Sequence, residues 1–124
     1  MVSKPYLSIR KNSDFLDLKN NGQKVWASSW MLISFMRANK PISELGISIS
    51  KKAGNAVIRN KIKRWVRSEI AKYLKSKPLV QTKMTFFIKP MKSDFYKNMS
   101  FDTFLKAFNH GIKQLEKNRI FTKL

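Results

Sequence analysis

The sequence contains no cysteine and few acidic residues. Of its 124 residues only seven are aspartate or glutamate, against 26 lysines and arginines, and there is a single histidine. Without cysteine, neither disulfide bonds nor thiolate metal sites can contribute to the fold, which agrees with a reducing compartment. The N-terminus lacks the apolar run of a secretory signal, and no segment approaches the roughly 18 apolar residues of a membrane span. We therefore expect a cytoplasmic protein without a membrane partner.

The scarcity of acids and histidine also limits enzyme chemistry. Protein-catalysed cleavage of RNA commonly uses paired histidines, or clustered carboxylates that hold metal ions. His110 stands alone on a predicted helix, and the one close pair of acids, Asp14 and Asp17, is weak evidence for a metal site. No glycine-rich phosphate loop is present. We expect the chain to have no catalytic residue of its own and to bind no metal ion tightly.

Positive charge is the dominant feature of the composition. The formal net charge is +19, and self-repulsion of this size favours a polyanionic partner, most naturally nucleic acid. With 43% hydrophobic residues, the chain is sufficient for one domain with one core. The sequence thus predicts a single RNA-binding domain over residues 1–124, with residues 1–12 basic and flexible.

The most basic stretch, Ser48 to Lys77, has helical spacing. It holds ten lysines and arginines against one acid, Glu69. Apolar residues at three- and four-residue steps predict a helix that packs one face on a core, namely Ile58, Ile62, Trp65, Val66, Ile70 and Tyr73. Another face gathers Arg59, Asn60, Lys63, Arg64 and Arg67. A merely solvated face would interleave acids with bases, so this pattern favours a helix that binds a polyanion.

Both ends of this helix are marked in the sequence. Asn55 can cap the first free backbone N–H groups, and Gly54 supplies a permissive turn before it. Lysines follow near the other end, where the helix dipole favours cations, and Pro78 marks the stop.

The elements before the basic helix are a short helix and strands. We predict that the helix begins at Ser13 or Asp14 and ends near residues 20–22. Residues 25–36 predict a strand that is either continuous or doubles back to make an extra strand. Residues 45–50 predict another, with small residues on one face that leave room for a ligand or for a neighbouring element.

Two elements follow the basic helix. Residues 83–89 predict a short internal strand, and a final helix begins near a Ser100 cap with a phenylalanine-rich stripe. The order α-β-β-(β)-α-β-α predicts an α+β fold, with a small central sheet packed with helices.

The strand over 45–50 and the basic helix share an ordered motif. It reads Gly46-x-Ser48-x-Ser50-Lys51-Lys52-x-Gly54-Asn55-Ala56-Val57-x-Arg59-Asn60-x-x-Lys63-Arg64-x-x-Arg67. This motif closely resembles the signature of the bacterial ribonuclease P protein component. The Asp14-Phe15 pair, the position of Gly22 and the chain length agree with the resemblance, which covers nearly the whole chain.

The resemblance implies a subunit of the ribonucleoprotein endonuclease that removes 5′ leaders from precursor tRNA, in which the RNA subunit is the catalyst. The implied partners are ribonuclease P RNA and precursor tRNA, and the implied cofactor is Mg²⁺ held mainly by the RNA. The residues implied to bind the catalytic RNA are Lys51, Lys52, Arg59, Asn60, Lys61, Lys63, Arg64 and Arg67. The sheet and the first helix are implied to form a cleft for the single-stranded leader, with Phe15, Lys19 and Ile33 at its positions.

This sequence departs from the family pattern at three of these positions. Lys61 stands where relatives usually have the third residue of Arg-Asn-Arg, so its charge is kept and a forked contact is lost. Lys19 replaces a commonly aromatic residue, and Ile33 stands where some relatives have tyrosine. Leader contacts here are thus expected to depend more on charge and less on stacking.

The resemblance also implies a left-handed crossover between the strands on either side of the basic helix, although about 98% of such crossovers are right-handed. Two other functions stay open at this point. A structural or ribosomal-type RNA-binding protein would share the charge and size, and an independent metal nuclease would use Asp14 and Asp17.

Overall fold

The computed structural model describes residues 5–38, 40–76 and 82–118. Within these ranges the chain forms a five-stranded sheet, three α-helices and a 3-10 turn at Lys51–Ala53. The elements in chain order are β1 (Tyr6–Ser8), α1 (Asn12–Asn21), β2 (Gln23–Ser28), β3 (Met31–Arg37), β4 (Ser43–Ile49), α2 (Ala56–Ser76), β5 (Thr82–Ile88) and α3 (Phe101–Asn118). The predicted α+β class is confirmed, and the long segment over 25–36 doubles back as the hairpin β2–β3.

The sheet is mixed, with strand order β1-β4-β5-β3-β2. β4 pairs in parallel with β1 and β5, whereas β3 pairs antiparallel with β5 and β2. β5 is the central strand, and most of its side chains are buried. A strand buried on both faces reads as a nearly continuous apolar run, which is why Met84 to Ile88 has little polar alternation.

The helices lie on opposite faces of the sheet. On one face, α3 approaches so closely that a Cβ on Gly111 would lie 2.6 Å from Ala27 Cβ and 2.8 Å from Ile33 Cδ1. The next residue of β3, Ser34, points the other way and donates a hydrogen bond to the Leu18 carbonyl of α1. Because successive strand residues face opposite sides, α1 and α3 are separated by the sheet.

The main core lies between the sheet and the pair α2 and α3. Phe86 of β5 stacks on Phe108 of α3 with ring centroids 5.7 Å apart, and Trp30 packs edge-on against Tyr96 at 5.8 Å. Each such pair adds about 0.5–1.5 kcal/mol beyond the burial of its area. The predicted stripe of α2 is confirmed: Ile62, Val66 and Ile70 are fully buried, and Ile58, Trp65 and Tyr73 pack half-buried against the core.

The predicted caps of α2 and α3 are confirmed. Asn55 Oδ1 accepts a hydrogen bond from the backbone N–H of Ile58 at 3.0 Å. Ser100 Oγ accepts one from the backbone N–H of Thr103 at 3.2 Å. α2 ends at Ser76, and the lysine and proline predicted to mark its stop, at 77 and 78, lie outside the described residues.

The predicted cap of α1 is wrong. The helix begins at Asn12, with Lys11 in the capping position and no side-chain hydrogen bond there. Asp14, one of the expected caps, instead accepts a hydrogen bond and ion pair from Lys83 of β5 at 3.0 Å. The contact of Asp14 with Lys83 thus takes the place of the predicted capping contact.

The segment over residues 1–12, which was expected to be flexible, contains a strand in its described part. Tyr6–Ser8 forms β1, and Tyr6 and Ile9 are buried. The Ile9 N–H donates to the Leu45 carbonyl at 2.8 Å, which continues the pairing with β4. Three residues are too few to show a strand period, so only pairing with a distant strand orders them.

The chain from β4 through α2 to β5 joins neighbouring parallel strands of the sheet. This is the β-α-β crossover that the resemblance implied, and the left-handedness of the crossover stays a prediction. In the three ranges that the structure describes, no helix is both long and apolar enough to cross a membrane.

Candidate nucleic-acid interface

The predicted basic residues of α2 lie on adjoining faces of one helix. At about 100° per residue, Arg59, Lys63 and Arg67 follow one flank of the buried stripe, and Asn60 and Arg64 project outermost. Asn60, Arg64 and Arg67 are exposed, whereas Arg59 and Lys63 are half-buried. The structure thus groups these five side chains into one cationic surface, called the α2 face below.

Arg59 is oriented by the turn that precedes the helix. Its Nε donates to the Gly54 carbonyl at 3.1 Å. Gly54 has φ +156°, and a Cβ there would lie 3.0 Å from Ile58, so this turn needs glycine. The hydrogen bond ties the guanidinium to the start of α2, where the helix dipole also attracts anions.

Lys61 lies away from the α2 face. Its Nζ donates to the Tyr96 carbonyl at 3.0 Å and sits 5.0 Å from the centroid of the Trp65 ring. Burial raises the pKa of the Tyr96 phenol to about 12, so that residue stays a neutral part of the core. The Lys61 amino group thus has an intramolecular partner, and its contact with the catalytic RNA stays a prediction.

Lys51 and Lys52 lie in the 3-10 turn that follows β4, and both are exposed. Ser50 caps this turn by accepting a hydrogen bond from the Lys52 N–H at 3.1 Å. Because β4 and β5 are parallel, the turn lies at the same end of the sheet as Lys89, which follows β5. These lysines extend the positive surface from the start of α2 along that end of the sheet.

Phe15 of α1 lies directly over the sheet at Gly46. A Cβ on Gly46 would be only 2.8 and 2.9 Å from two atoms of the phenylalanine ring. The small residue predicted to leave room on β4 thus accommodates a neighbouring element. Lys19 lies one turn further along α1, exposed on the same side as Phe15, since residues four apart share a helix face.

A cavity of about 90 Å³ joins the two predicted regions. Phe15 and Gly46 line it together with Lys63 and Arg67 of α2, and β1 contributes Tyr6 to its wall. Burial raises the pKa of Tyr6, and the positive charge of Arg67 opposes that rise. An aromatic ring and two cations therefore surround one opening at the β1 side of the sheet.

Ile33 is the predicted leader residue that the structure does not place at this surface. Its side chain is fully buried beneath α3, on the face opposite Phe15. The neighbours that face the α1 side are Leu32 and Ser34. Because successive strand residues face opposite sides, a shift of one position decides whether a side chain lies on the α1 side or under α3. Ile33 is therefore corrected to a core residue.

The described acids are dispersed rather than clustered. Glu44, Glu69 and Asp14 lie near or pair with Lys40, Lys72 and Lys83, respectively. The hydrogen bond from Lys83 lowers the pKa of Asp14 below its ordinary value, against an opposing effect of burial. Over residues 5–38, 40–76 and 82–118, no group of three His, Cys, Asp or Glu side chains could hold a metal ion.

The sequence reasoning missed two side chains, Tyr6 at the cavity and Trp26 on the α1 face. Tyr6 was assigned to a flexible terminus, and Trp26 was treated only as a strand residue. Strand alternation could have identified Trp26, because it places Trp26 on the face opposite Val25 and Ala27. Both of these residues are buried in the core, so the indole lies on the other face.

Proteins of known family resemble this chain in sequence and in structure. A family model described as Ribonuclease P matches residues 4–116. The ribonuclease P protein component of Macrococcus caseolyticus (strain JCSC5402) is 40% identical over 65 residues, which are 52% of this chain and 56% of that protein. That of Staphylococcus haemolyticus (strain JCSC1435) is 46% identical over 59 residues, or 48% and 51%. The chain thus spans about half the length of the curated relatives that it matches.

Solved structures resemble the chain over more of its length. A mutant of the Staphylococcus aureus RNase P protein with defective mRNA degradation activity superposes with a TM-score of 0.74 at 29% identity, covering 88% of this chain and 87% of that chain. The RNase P protein from Thermotoga maritima gives 0.69 at 27% identity, covering 86% and 96%. Since the family model matches far more than half of the sequence, the chain belongs to the ribonuclease P protein family.

Proposed function

We propose that this chain is the protein subunit of ribonuclease P, which binds the catalytic RNA and the 5′ leader of precursor tRNA to promote endonucleolytic 5′ maturation. The observation that carries the proposal is the convergence of Phe15 with Lys63 and Arg67 around one opening, in a chain of this family. An aromatic ring can stack on a base of any identity, and the cations can follow the phosphates. A leader of variable sequence requires this kind of sequence-tolerant contact.

The α2 face and the α1 side serve different RNAs in this proposal. Arg59, Asn60, Lys63, Arg64 and Arg67, with Lys51 and Lys52, bind the catalytic RNA. Phe15 and Lys19 contact the leader. The two surfaces meet at the cavity, so one small domain holds the substrate strand next to the catalytic RNA.

The chemistry is assigned to the RNA subunit. The described acids do not fit a magnesium site, because no three of the described His, Cys, Asp or Glu side chains come together. The close pair on α1 already has partners: Asp14 pairs with Lys83, and Asp17 accepts a hydrogen bond from Asn21. We assign Mg²⁺ to RNA phosphates, and the protein contributes binding and charge. In this proposal no protein side chain takes part in the cleavage step.

The test is single-turnover cleavage of precursor tRNA by the ribonuclease P RNA of the same bacterium at low magnesium, with and without the protein. A large gain only when RNA and protein are both present supports the proposal. No gain, combined with tight binding to another RNA, favours a structural RNA-binding protein. Cleavage by the protein alone that Asp14→Asn abolishes would identify a metal nuclease.

A further inference from the structure

The indole of Trp26 is an exposed aromatic ring that the proposed function does not use. Its side chain is 50% exposed, although tryptophan is normally among the most buried residues on average. By contrast Trp30, four residues later, is only 4% exposed and packs in the core. Trp26 lies on β2, the edge strand opposite β1.

The register places Trp26 at the end of a row that crosses the sheet. Trp26 pairs with Leu32, Leu32 pairs with Phe87, and Phe87 pairs with Ser48. Directly paired strand residues share a face, and this row shares the α1 face with Ser34 and Gly46. Leu32 and Phe87 are only half-buried, so we call these four residues the open row.

A cation is already positioned at the indole. Lys89 Nζ lies 5.1 Å from the centroid of the Trp26 ring, within the range of a cation–π contact. The Lys89 backbone is held at both of its polar groups: its N–H donates to the Trp30 carbonyl at 2.9 Å, and its carbonyl accepts from the Tyr96 hydroxyl. The lysine therefore leaves β5 in a fixed direction, with its ammonium beside the ring.

We propose that Trp26 and Lys89 form a second nucleotide-binding position for single-stranded RNA, in which the indole stacks on a base and the ammonium contacts the adjoining phosphate. The proposal rests on the proposed function, because the ligand is the precursor-tRNA leader at nucleotides beyond those at Phe15. Three observations favour RNA over another occupant: the exposed ring, the paired cation and the chain's net charge of +19. An aromatic face beside a cation is the usual platform for single-stranded nucleic acid.

The separation of the two positions makes the proposal specific. Phe15 lies over β4, and β2 is three strands away across the sheet. At about 4.8 Å per strand this is about 15 Å, a span of several nucleotides. The leader would then cross the open row, so that only leaders long enough to reach β2 use Trp26.

The experiment measures holoenzyme affinity for precursor tRNAs that differ only in leader length, from two to twelve nucleotides, for wild type and Trp26→Leu. Loss of one stacked base is expected to weaken binding of the long leader about tenfold. Binding of the two-nucleotide leader should change less than about twofold, because no base reaches the indole. Phe101→Leu is the matched control: it removes a ring that is 37% exposed, but on α3, across the sheet.

Trp26→Phe and Lys89→Gln separate the two contributions. Phenylalanine should recover most of the long-leader affinity, whereas glutamine should weaken it and also reduce its salt dependence. A twelve-nucleotide single-stranded RNA should quench tryptophan fluorescence in the wild type and much less in Trp26→Leu. Circular dichroism of each variant verifies the fold.

The outcomes distinguish this inference from the proposed function. If the wild-type protein stimulates cleavage but the effect of Trp26→Leu on affinity is the same for short and long leaders, the second position does not exist and the subunit role stands. A change of oligomeric state in Trp26→Leu without any dependence on leader length would show that the ring is a protein contact, which overturns the inference. If the wild-type protein gives no stimulation with any leader, the proposed function itself fails.

Discussion

Arg64 provides the sharpest test of whether the α2 face is a defined binding site. Its side chain is exposed at the outermost part of the helix, and it has no hydrogen bond or ion pair to the other described residues. Arg64→Ala should therefore leave the stability of the protein nearly unchanged and affect only RNA binding. Lys117, exposed near the end of α3, is the control because Lys117→Ala removes the same formal charge from another element.

The expected magnitude follows from one lost phosphate contact. A charge-assisted hydrogen bond contributes about 1.5 kcal/mol, so Arg64→Ala should weaken binding of ribonuclease P RNA roughly tenfold. The slope of log K against log salt should fall by about 0.9. Between about 50 and about 200 mM salt, the wild type should then lose about 3.5-fold more affinity than the variant. Lys117→Ala should change the affinity by less than about twofold.

Filter binding or fluorescence titration at four salt concentrations measures both quantities. Arg64→Lys keeps the charge and removes the forked geometry, so it should retain the slope while losing part of the affinity. Equal effects of Arg64→Ala and Lys117→Ala, in both affinity and slope, would refute the reasoning. They would indicate a diffuse attraction set by net charge alone.

Three further predictions concern the supports of the site, each measured by urea unfolding. Gly111→Ala gains about 1 kcal/mol of helix propensity, but its new methyl group would lie against Ala27, 3.3 Å from the backbone Cα of that residue. We therefore expect the free energy of unfolding to fall by about 1 kcal/mol. An unchanged value would contradict the close packing of α3 on β2. Asn55→Ala should lose about 1 kcal/mol through the cap and Asn55→Asp should not, whereas equal losses would contradict the capping role. Because the pKa of Asp14 is lowered in the folded protein, its carboxylate stabilises the fold at pH values above its ordinary pKa of 3.8. This contribution disappears as the pH falls through the folded pKa. Asp14→Asn should accordingly be less stable than the wild type at pH 7, and the difference should shrink as the pH falls below 3.8. A difference that stays constant as the pH falls would contradict the role of Lys83.

The α2 region could be predicted because its information is local. The helical period of the stripe from Ile58 to Tyr73 and the capping chemistry of Asn55 depend on neighbours within about four residues. The resulting helix carries the cations on one surface whatever the rest of the fold. Lys61 shows the limit of this reasoning, since its contact with the Tyr96 carbonyl comes from a loop 35 residues later.

Strand faces and edges could not be predicted in the same way. Ile33 was expected at the leader cleft, and the structure buries it under α3. The face that a strand residue occupies depends on the strand register, and a shift of one residue moves its side chain to the other face of the sheet. β1 was missed because three residues gain their order only from pairing with β4. Such pairings are decided by distant segments, not by the local sequence.

The sequence by itself determined the charge of +19, the absence of thiol chemistry, the amphipathic α2 and the motif that carries the family resemblance. These follow from composition and short-range periodicity, which no folding partner alters. The tertiary structure alone decided that Phe15 meets Lys63 and Arg67 at one cavity, and that Trp26 lies beside Lys89. The physical reason is that both arrangements join side chains from different elements, and strand order and register determine which elements become neighbours.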